Sequence, residues 1–400
     1  MFFLRFNGGN MSVKAKRLIS ILALVLVVGA FVLLRYLAYD VFMNIFPIVV
    51  AVLVFLLIIM VHELGHFAAA KACGIYVKQF AFGMGPALFR KQGKETEYVV
   101  RAFPVGGYCA FETDIEDFDE EKGEIVEPNP RAFNRKPVWQ RMIVLVCGPL
   151  MNLILGFIVV VISLCTSEAI ASTTVSEFRE QSVSSSQLMV NDEILNIEGL
   201  PIYSASDITY KMQSSDRKNE AGNLVFDITV RRNGETVLLK DVEFMTTNRQ
   251  DGSSGVYFDF FVYRLEKNFG NVVSMGFRES SSKARIILLT IVDIVKGKYG
   301  LNDFSGPIGV GSVITEAVKT YTFSDFMSVM AFLSINVGVF NLLPIPGLDG
   351  ARLIFLIVEL IRRKPVKQQV EGMIHFAGMA LLLLFIIVIS FNDISKLFAR

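Results

Sequence analysis

The sequence is poor in charge, cysteine and histidine, and each shortage narrows the class of protein. Only 19% of the 400 residues are charged and the net charge is +1, so the charge balance does not indicate a nucleic-acid partner. The four cysteines all precede residue 166, so no disulfide framework is implied for the remainder. Hydrophobic residues make up 52% of the chain, which indicates membrane spans together with some soluble mass.

Two of the only three histidines lie in one short motif, His62-Glu63-Leu64-Gly65-His66, at the end of a long apolar run. In a helix, residues four apart share a face, so two imidazoles can hold Zn²⁺ and leave room for a third ligand and a water of lowered pKa. Glu63 is placed to take a proton from that water and pass it to the leaving amine. The motif HExxH therefore predicts a zinc hydrolase; the alternative is a polar patch at the mouth of a membrane helix.

Apolar runs predict about five membrane spans, at residues 18–34, 41–61, 142–164, 326–343 and 370–390. We interpret the first run as an uncleaved span rather than a signal peptide, with either Met1 or Met11 as the start. If the basic N-terminus is cytoplasmic, the HExxH end of the second span returns to the cytoplasmic side. Counting spans then places residues 168–262 outside the cytoplasm.

Local patterns predict the structure between the spans. Residues 75–111 are rich in glycine and proline and favour short strands, and residues 112–127 favour a solvated acidic loop. Residues 168–262 contain strand signals, a helix near 206–213 and a hairpin turned at Asn233-Gly234. Residues 284–295 predict a surface or interfacial helix, and the glycines around Pro307 predict a loop.

Polar residues in the later apolar runs are candidates for a site. Pro344 and Pro346 break the fourth run at membrane level, which lipid tolerates only where protein lines a cavity. Asp349 follows them and is the best third ligand, although an aspartate there could also cap the helix that begins at Gly350. Asn152 in the third span either lies near the metal site or belongs to a packed helix contact.

Several motifs occur in a recognisable order along most of the chain from about residue 50. They are His62-Glu63-Leu64-Gly65-His66-Phe67, the region from Phe80 to Tyr108, Gly148-Pro149 with Asn152, and Asn336 followed by Asn341-Leu342-Leu343-Pro344-Ile345-Pro346 and Leu348-Asp349-Gly350. This order resembles the site-2 protease family of intramembrane zinc metalloproteases, in its bacterial branch with a PDZ domain that carries out regulated intramembrane proteolysis.

The resemblance implies roles for individual residues. His62, His66 and Asp349 bind Zn²⁺, and Glu63 acts as the base. The residues expected to present an unwound substrate helix are Asn336, Asn341, Pro344 and Pro346, with Asn152 near them. His375, the leftover histidine, is predicted to be an interfacial or packing residue because it lacks ligand spacing to another histidine.

The expected fold class is a polytopic α-helical membrane protein of about five spans, with a membrane-associated β-hairpin loop and one extracytoplasmic PDZ-like α+β domain. The resemblance implies a bacterial inner-membrane enzyme whose partners are the bilayer and pre-trimmed single-span proteins, such as anti-sigma factors and signal-peptide remnants. Peptide ends are possible ligands of the PDZ domain. The expected segments are the N-terminus with the first span (1–38), the second span with HExxH (39–74), the β loop and acidic loop (75–140) and the third span (141–165). They continue with the PDZ-like domain (168–262), a linker with a surface helix (263–324), the fourth span with the following helix (325–361) and the fifth span (369–391).

Two other classes remain open from the residues. A catalytically inactive PDZ-bearing scaffold would keep this architecture, although the intact Glu63 and the complete ligand set favour an enzyme. An ion-coupled transporter would also use membrane-buried histidine and aspartate, although no inverted repeat is visible.

Overall fold

The computed structural model describes residues 21, 24–33, 35, 39–112, 118–119, 124–125, 129–248, 254–300, 303–320 and 322–398. The extreme N-terminus and most of the predicted acidic loop lie outside the described residues. The predicted first span is described only in part, where helix α1 covers Leu24–Leu33.

Four helices in the described part are long and apolar enough to cross a membrane. They are α2 (Tyr39–Ala72), α3 (Val138–Thr166), α7 (Phe323–Leu342) and α9 (Gln368–Phe398). They correspond to the second to fifth predicted spans and confirm a multi-pass membrane protein. Helix α2 extends well beyond its apolar run, so the HExxH motif is helical throughout.

Helix α3 is the centre of the helical bundle, since it packs against α2, α7 and two further helices, α5 (Phe269–Val295) and α8 (Asp349–Arg362). Ile58 of α2, Val159 and Val160 of α3, and Ile335 of α7 share one buried cluster. A Cβ added at Gly156 would lie 2.4 Å from Cγ1 of Ile335, so this glycine permits the close approach of α3 and α7.

A β-hairpin follows α2 and consists of β1 (Val77–Gln92) and β2 (Glu97–Phe111). The strands are long but irregular: residues 97–100 pair with 89–92 and also with 79–82, and residues 79–82 pair in turn with 107–110. The predicted short strands are thus segments of two bent strands. Two brief strands, β3 (Phe118–Asp119) and β4 (Glu124–Ile125), lie in the loop that follows.

Residues 170–265 form an antiparallel sheet with one helix, α4 (Ala205–Gln213). The strands are β5 (Ile170–Phe178), β6 (Glu193–Ile197), β7 (Leu200–Pro201), β8 (Leu224–Arg232), β9 (Glu235–Phe244) and β12 (Phe260–Leu265). Their order in the sheet is β12-β5-β6-β8-β9, with β7 paired to β6. The predicted hairpin is confirmed, because Asn233 and Gly234 both have positive φ between β8 and β9. A separate pair of strands consists of β10 (Thr246–Asn248) and β11 (Ser254–Val256).

Of two predictions between this domain and the fourth span, the first gave too short a helix and the second is wrong. The expected short surface helix at 284–295 is the second half of α5 (Phe269–Val295), which packs against α3 and α7. The expected loop around Pro307 is the start of α6 (Pro307–Thr320). The amides of Gly306 and Gly309 donate to Oδ2 of Asp393 in α9, at 2.9 and 2.8 Å. These glycines therefore allow a carboxylate to cap the helix rather than making a turn.

The two prolines after α7 do end that helix, as predicted, and α8 (Asp349–Arg362) begins at the candidate ligand. Helix α9 is attached to this region at Gly378, where an added Cβ would lie 2.3 Å from Cβ of Pro346. The fold thus brings the HExxH end of α2, the start of α3 and the start of α8 together.

Candidate metal centre

The side chains of His62, His66 and Asp349 converge on one point. Nε2 of His62 lies 3.0 Å from Nε2 of His66, and Oδ2 of Asp349 lies 3.0 and 3.2 Å from these two nitrogens. They form a group that could hold a metal ion. The prediction that Asp349 lies beside the two histidines is therefore confirmed, and the start of α8 places it there.

The donor chemistry fits a cation. Nδ1 of His66 lies 2.8 Å from the carbonyl oxygen of Val144. A carbonyl can only accept, so Nδ1 carries the hydrogen and Nε2 presents a lone pair to the other two ligands. Atoms with lone pairs repel at these distances unless a proton or a metal cation lies between them. Tetrahedral zinc with ordinary bond lengths places its donors about 3.3 Å apart, close to the distances found here.

Two glycines allow the helices to approach closely enough for this contact. A Cβ at Gly65 of α2 would lie 2.2 Å from the carbonyl oxygen of Cys147, and a Cβ at Gly148 of α3 would lie 2.3 Å from Nε2 of His66. Any side chain at either position would push α2 and α3 apart. The glycine inside HExxH and the glycine before Pro149 are therefore part of how the centre is built.

Glu63 lies at the same end of α2 and lines a cleft of about 380 Å³ together with the three candidate ligands. The hairpin forms one wall through Tyr108, Cys109 and Phe111. Burial, reinforced by the Glu63 carboxylate, raises the pKa of the Cys109 thiol to about 12, so this thiol stays protonated at neutral pH. Two carboxylates line the cleft. Asp349 belongs to the candidate ligand set and Glu63 does not.

The residues predicted to bind substrate are not all brought together. Asn341 lines the cleft, and its Nδ2 donates to the carbonyl of Val337 at 2.9 Å. Among the described residues, the cleft lining does not include Asn336, Asn152, Pro344 or Pro346. Pro346 instead packs against α9.

Asn152 is fully buried beside α7, and neither polar atom of its amide has a hydrogen-bond partner among the described residues. The hydroxyl of Ser334 donates to its backbone carbonyl at 2.8 Å. The amide is thus packed into the helix contact but left with unused hydrogen-bonding capacity. This observation is compatible with both of the roles considered from the sequence.

The sequence indicated no place beside the site for two residues, Arg352 and His375. Nδ1 of His375 accepts a hydrogen bond of 3.1 Å from the amide of Gly347, in the loop that leads to Asp349. Arg352, one turn after Asp349, lines both the cleft and an adjoining cavity of about 350 Å³. The spacing of Arg352 from Asp349 was visible in the sequence, but no pattern indicated that His375 would reach this loop.

Similarity to known proteins agrees with this geometry. The model of peptidase family M50 matches residues 50–385. A protein of Fusobacterium nucleatum is 36% identical, covering 87% of this chain and 98% of its own length. The zinc metalloprotease RasP of Shouchella clausii is 31% identical, with 86% and 98% covered, and the regulator of sigma-W protease RasP of Bacillus subtilis is 27% identical, with 88% and 99% covered. The chain belongs to peptidase family M50, the site-2 protease family, and is a zinc metalloprotease.

Proposed function

We propose that the chain is an intramembrane endopeptidase that hydrolyses peptide bonds within or near transmembrane helices of single-span proteins. His62, His66 and Asp349 would hold the zinc, and Glu63 would be the base. The observation that carries this proposal is the convergence of the three ligand atoms beside Glu63, at the end of a membrane helix. A complete hydrolytic set in this position favours an enzyme over a scaffold or a transporter.

Zinc supplies Lewis acidity, which polarises the scissile carbonyl and makes water nucleophilic at neutral pH. Glu63 accepts the proton of the attacking water and delivers it to the leaving amine. Val144 holds His66 in the tautomer that leaves Nε2 free. The helices and the hairpin that line the cleft would limit the access of bulk water to the reacting bond.

Substrate must be extended before it can be cleaved, because a helix hides its peptide bonds in internal hydrogen bonds. Residues 107–110 pair with 79–82 along one edge, and in the described structure no strand pairs with their other edge. Tyr108 and Cys109 of this segment line the cleft. We propose that an unwound substrate adds as a strand at this edge, while Asn341 and the broken segment with Pro344 and Pro346 help to hold it open. Asn336 and Asn152 would act from the neighbouring helices.

The domain of residues 168–262 would lie outside the cytoplasm and act as a PDZ-like filter that rejects substrates whose external part is not yet trimmed. Contacts between this domain and helix α5 support a fixed position of the domain relative to the helices. Asp207 of α4 lies 2.6 Å from Arg285 and accepts from the hydroxyl of Ser282 at 2.7 Å, both on α5. Deletion of residues 170–262 should leave hydrolysis intact and widen selection; loss of all hydrolysis in a folded, zinc-loaded deletion would refute the filter.

The substrates would be pre-trimmed membrane proteins such as anti-sigma factors and signal-peptide remnants. The Bacillus subtilis relative, whose name describes regulation of sigma-W, supports the first class. The enzyme would be a multi-pass protein of the bacterial inner membrane with its N-terminus in the cytoplasm. Binding of peptide ends at the outer domain would add to selection.

The decisive experiment is cleavage of a purified single-span substrate by the purified full chain and by Glu63→Gln. This variant should retain zinc and lose turnover, because it keeps the ligands but removes the base. Glu243→Gln, in a strand of the outer domain, is the matched control and should cleave normally. Normal cleavage by Glu63→Gln would refute the assignment of the base.

A second measurement concerns the metal. Asp349→Asn should lower the zinc content of the purified protein, because a neutral amide is a poorer ligand than a carboxylate. Unaltered metal content and activity would mean that another group is the third ligand.

A further inference from the structure

We propose that the ion pair between Arg141 and Glu359 positions α8 and thereby Asp349, so that the pair controls zinc affinity from a distance. This inference rests on the proposed metal site. Glu359 follows Asp349 by ten residues on one helix, which corresponds to about 15 Å along its axis. The two side chains of the pair are therefore positioning residues that touch neither substrate nor metal.

The pair has the geometry of a directional clamp. Nη1 and Nη2 of Arg141 donate to the two carboxylate oxygens of Glu359, at 3.1 and 2.5 Å. Both side chains are largely buried, at 9% and 15% exposure. The Nε of Arg141 donates to the carbonyl of Lys136 at 3.1 Å, which fixes the guanidinium plane. A bidentate pair in a buried setting constrains the orientation as well as the separation of its partners.

One turn of α3 contacts both a candidate ligand on α2 and the helix that carries a second candidate ligand, α8. Val144, three residues after Arg141, accepts the hydrogen bond from His66. Arg141 meanwhile binds the far part of α8, whose first residue is Asp349. One rigid turn of α3 thus serves as a common reference for a histidine on α2 and the carboxylate on α8.

The other close contacts of α8 lie in its first two turns, where Gly350 packs against the carbonyls of Leu342 and Leu343 and Phe355 contacts the ring of His375. The helix follows a segment broken by two prolines, and its apolar residues Ile354, Leu360 and Ile361 are exposed. Ala351 and Leu356 are buried on α8, which packs against α3 and α7. Without the clamp, α8 could rotate about its own axis and turn the Asp349 carboxylate away from the two histidines.

The test uses the full chain in detergent and compares Glu359→Gln, Arg141→Met and the double variant Arg141→Met with Glu359→Met. Zinc affinity is measured by competition with a chelator, and the unfolding temperature of the zinc-free protein is measured separately. Each single variant should bind zinc about 10-fold more weakly, which is the low end of the effect of removing a group that holds a ligand directly. The double variant should recover the unfolding temperature, because apolar pairs often replace buried ion pairs without loss of stability. Its zinc affinity should stay about 10-fold low, because the apolar pair lacks direction.

The matched control is Asp192→Asn, which breaks a similar bidentate pair with Arg232, at 2.8 and 2.7 Å, in the outer domain. It should destabilise that domain and leave zinc affinity unchanged. The proposal is overturned if the double variant binds zinc as the wild type does, or if Asp192→Asn weakens zinc as much as Glu359→Gln. If Asp349→Asn loses zinc but Glu359→Gln does not, only the clamp is refuted. If Asp349→Asn keeps zinc, both the proposed metal site and the clamp are refuted.

Discussion

The contact between Gly148 and His66 offers the sharpest test of how the centre is built. An alanine at position 148 would place its Cβ 2.3 Å from Nε2 and 2.5 Å from Cε1 of His66. The ring cannot turn away without breaking its hydrogen bond to the carbonyl of Val144. We therefore expect α2 and α3 to separate or the ring to be displaced.

The magnitude follows from the distances. Restoring an ordinary contact of 3.4 Å from 2.3 Å requires a shift of 3.4 − 2.3 = 1.1 Å. Metal–ligand distances tolerate only about 0.2 Å. We expect Gly148→Ala to weaken zinc binding by at least about 10–100-fold. Overpacking should also cost about 1–3 kcal/mol of unfolding free energy.

The assay compares Gly148→Ala with Gly311→Ala, a helical glycine in α6 with nothing within 4 Å of the added Cβ. The control should gain up to about 1 kcal/mol of helix stability, which an alanine confers over glycine. Zinc content and cleavage of a single-span substrate are measured for both. Wild-type zinc content and cleavage in Gly148→Ala would refute the close approach of the two helices.

Three further outcomes are expected. Asp393→Ala removes the cap from the start of α6, so hydrogen exchange at the amide of Gly309 should accelerate; unchanged exchange would mean that the cap is dispensable. Ion pairs to Arg131 and Lys71 lower the pKa of Glu95 to about 2. The ion pairs therefore stabilise the hairpin fully above pH 4.5, and this stabilisation is lost as the pH falls toward 2. Hydrogen exchange in the hairpin should follow this profile in the wild type and not in Glu95→Gln. Asn152→Leu should keep the zinc and slow cleavage if its free amide serves the substrate, whereas unchanged cleavage would support a packing role.

Much of the fold followed from local patterns. Runs of about twenty apolar residues have the length and composition needed to cross a membrane, so the four described spans were predictable. The Asn233-Gly234 turn was predictable because both residues tolerate positive φ. The loop expected around Pro307 was wrong, because the amide of Gly309 donates to the carboxylate of Asp393, which lies 84 positions away. The segment is therefore the capped start of a helix. A glycine that permits a close contact cannot be distinguished, from its neighbours in sequence, from one that makes a turn.

The sequence by itself determined which groups can form the site. Helical periodicity places His62 and His66 on one face, and the broken fourth run marked Asp349 as an ionisable group in an apolar setting. Only the tertiary structure decided that the three ligand atoms lie within 3.2 Å of one another. It also revealed that Arg141 reaches across 218 positions to Glu359. Periodicity acts along one helix, whereas the crossing of α2, α3 and α8 depends on which side chains are small enough to allow contact.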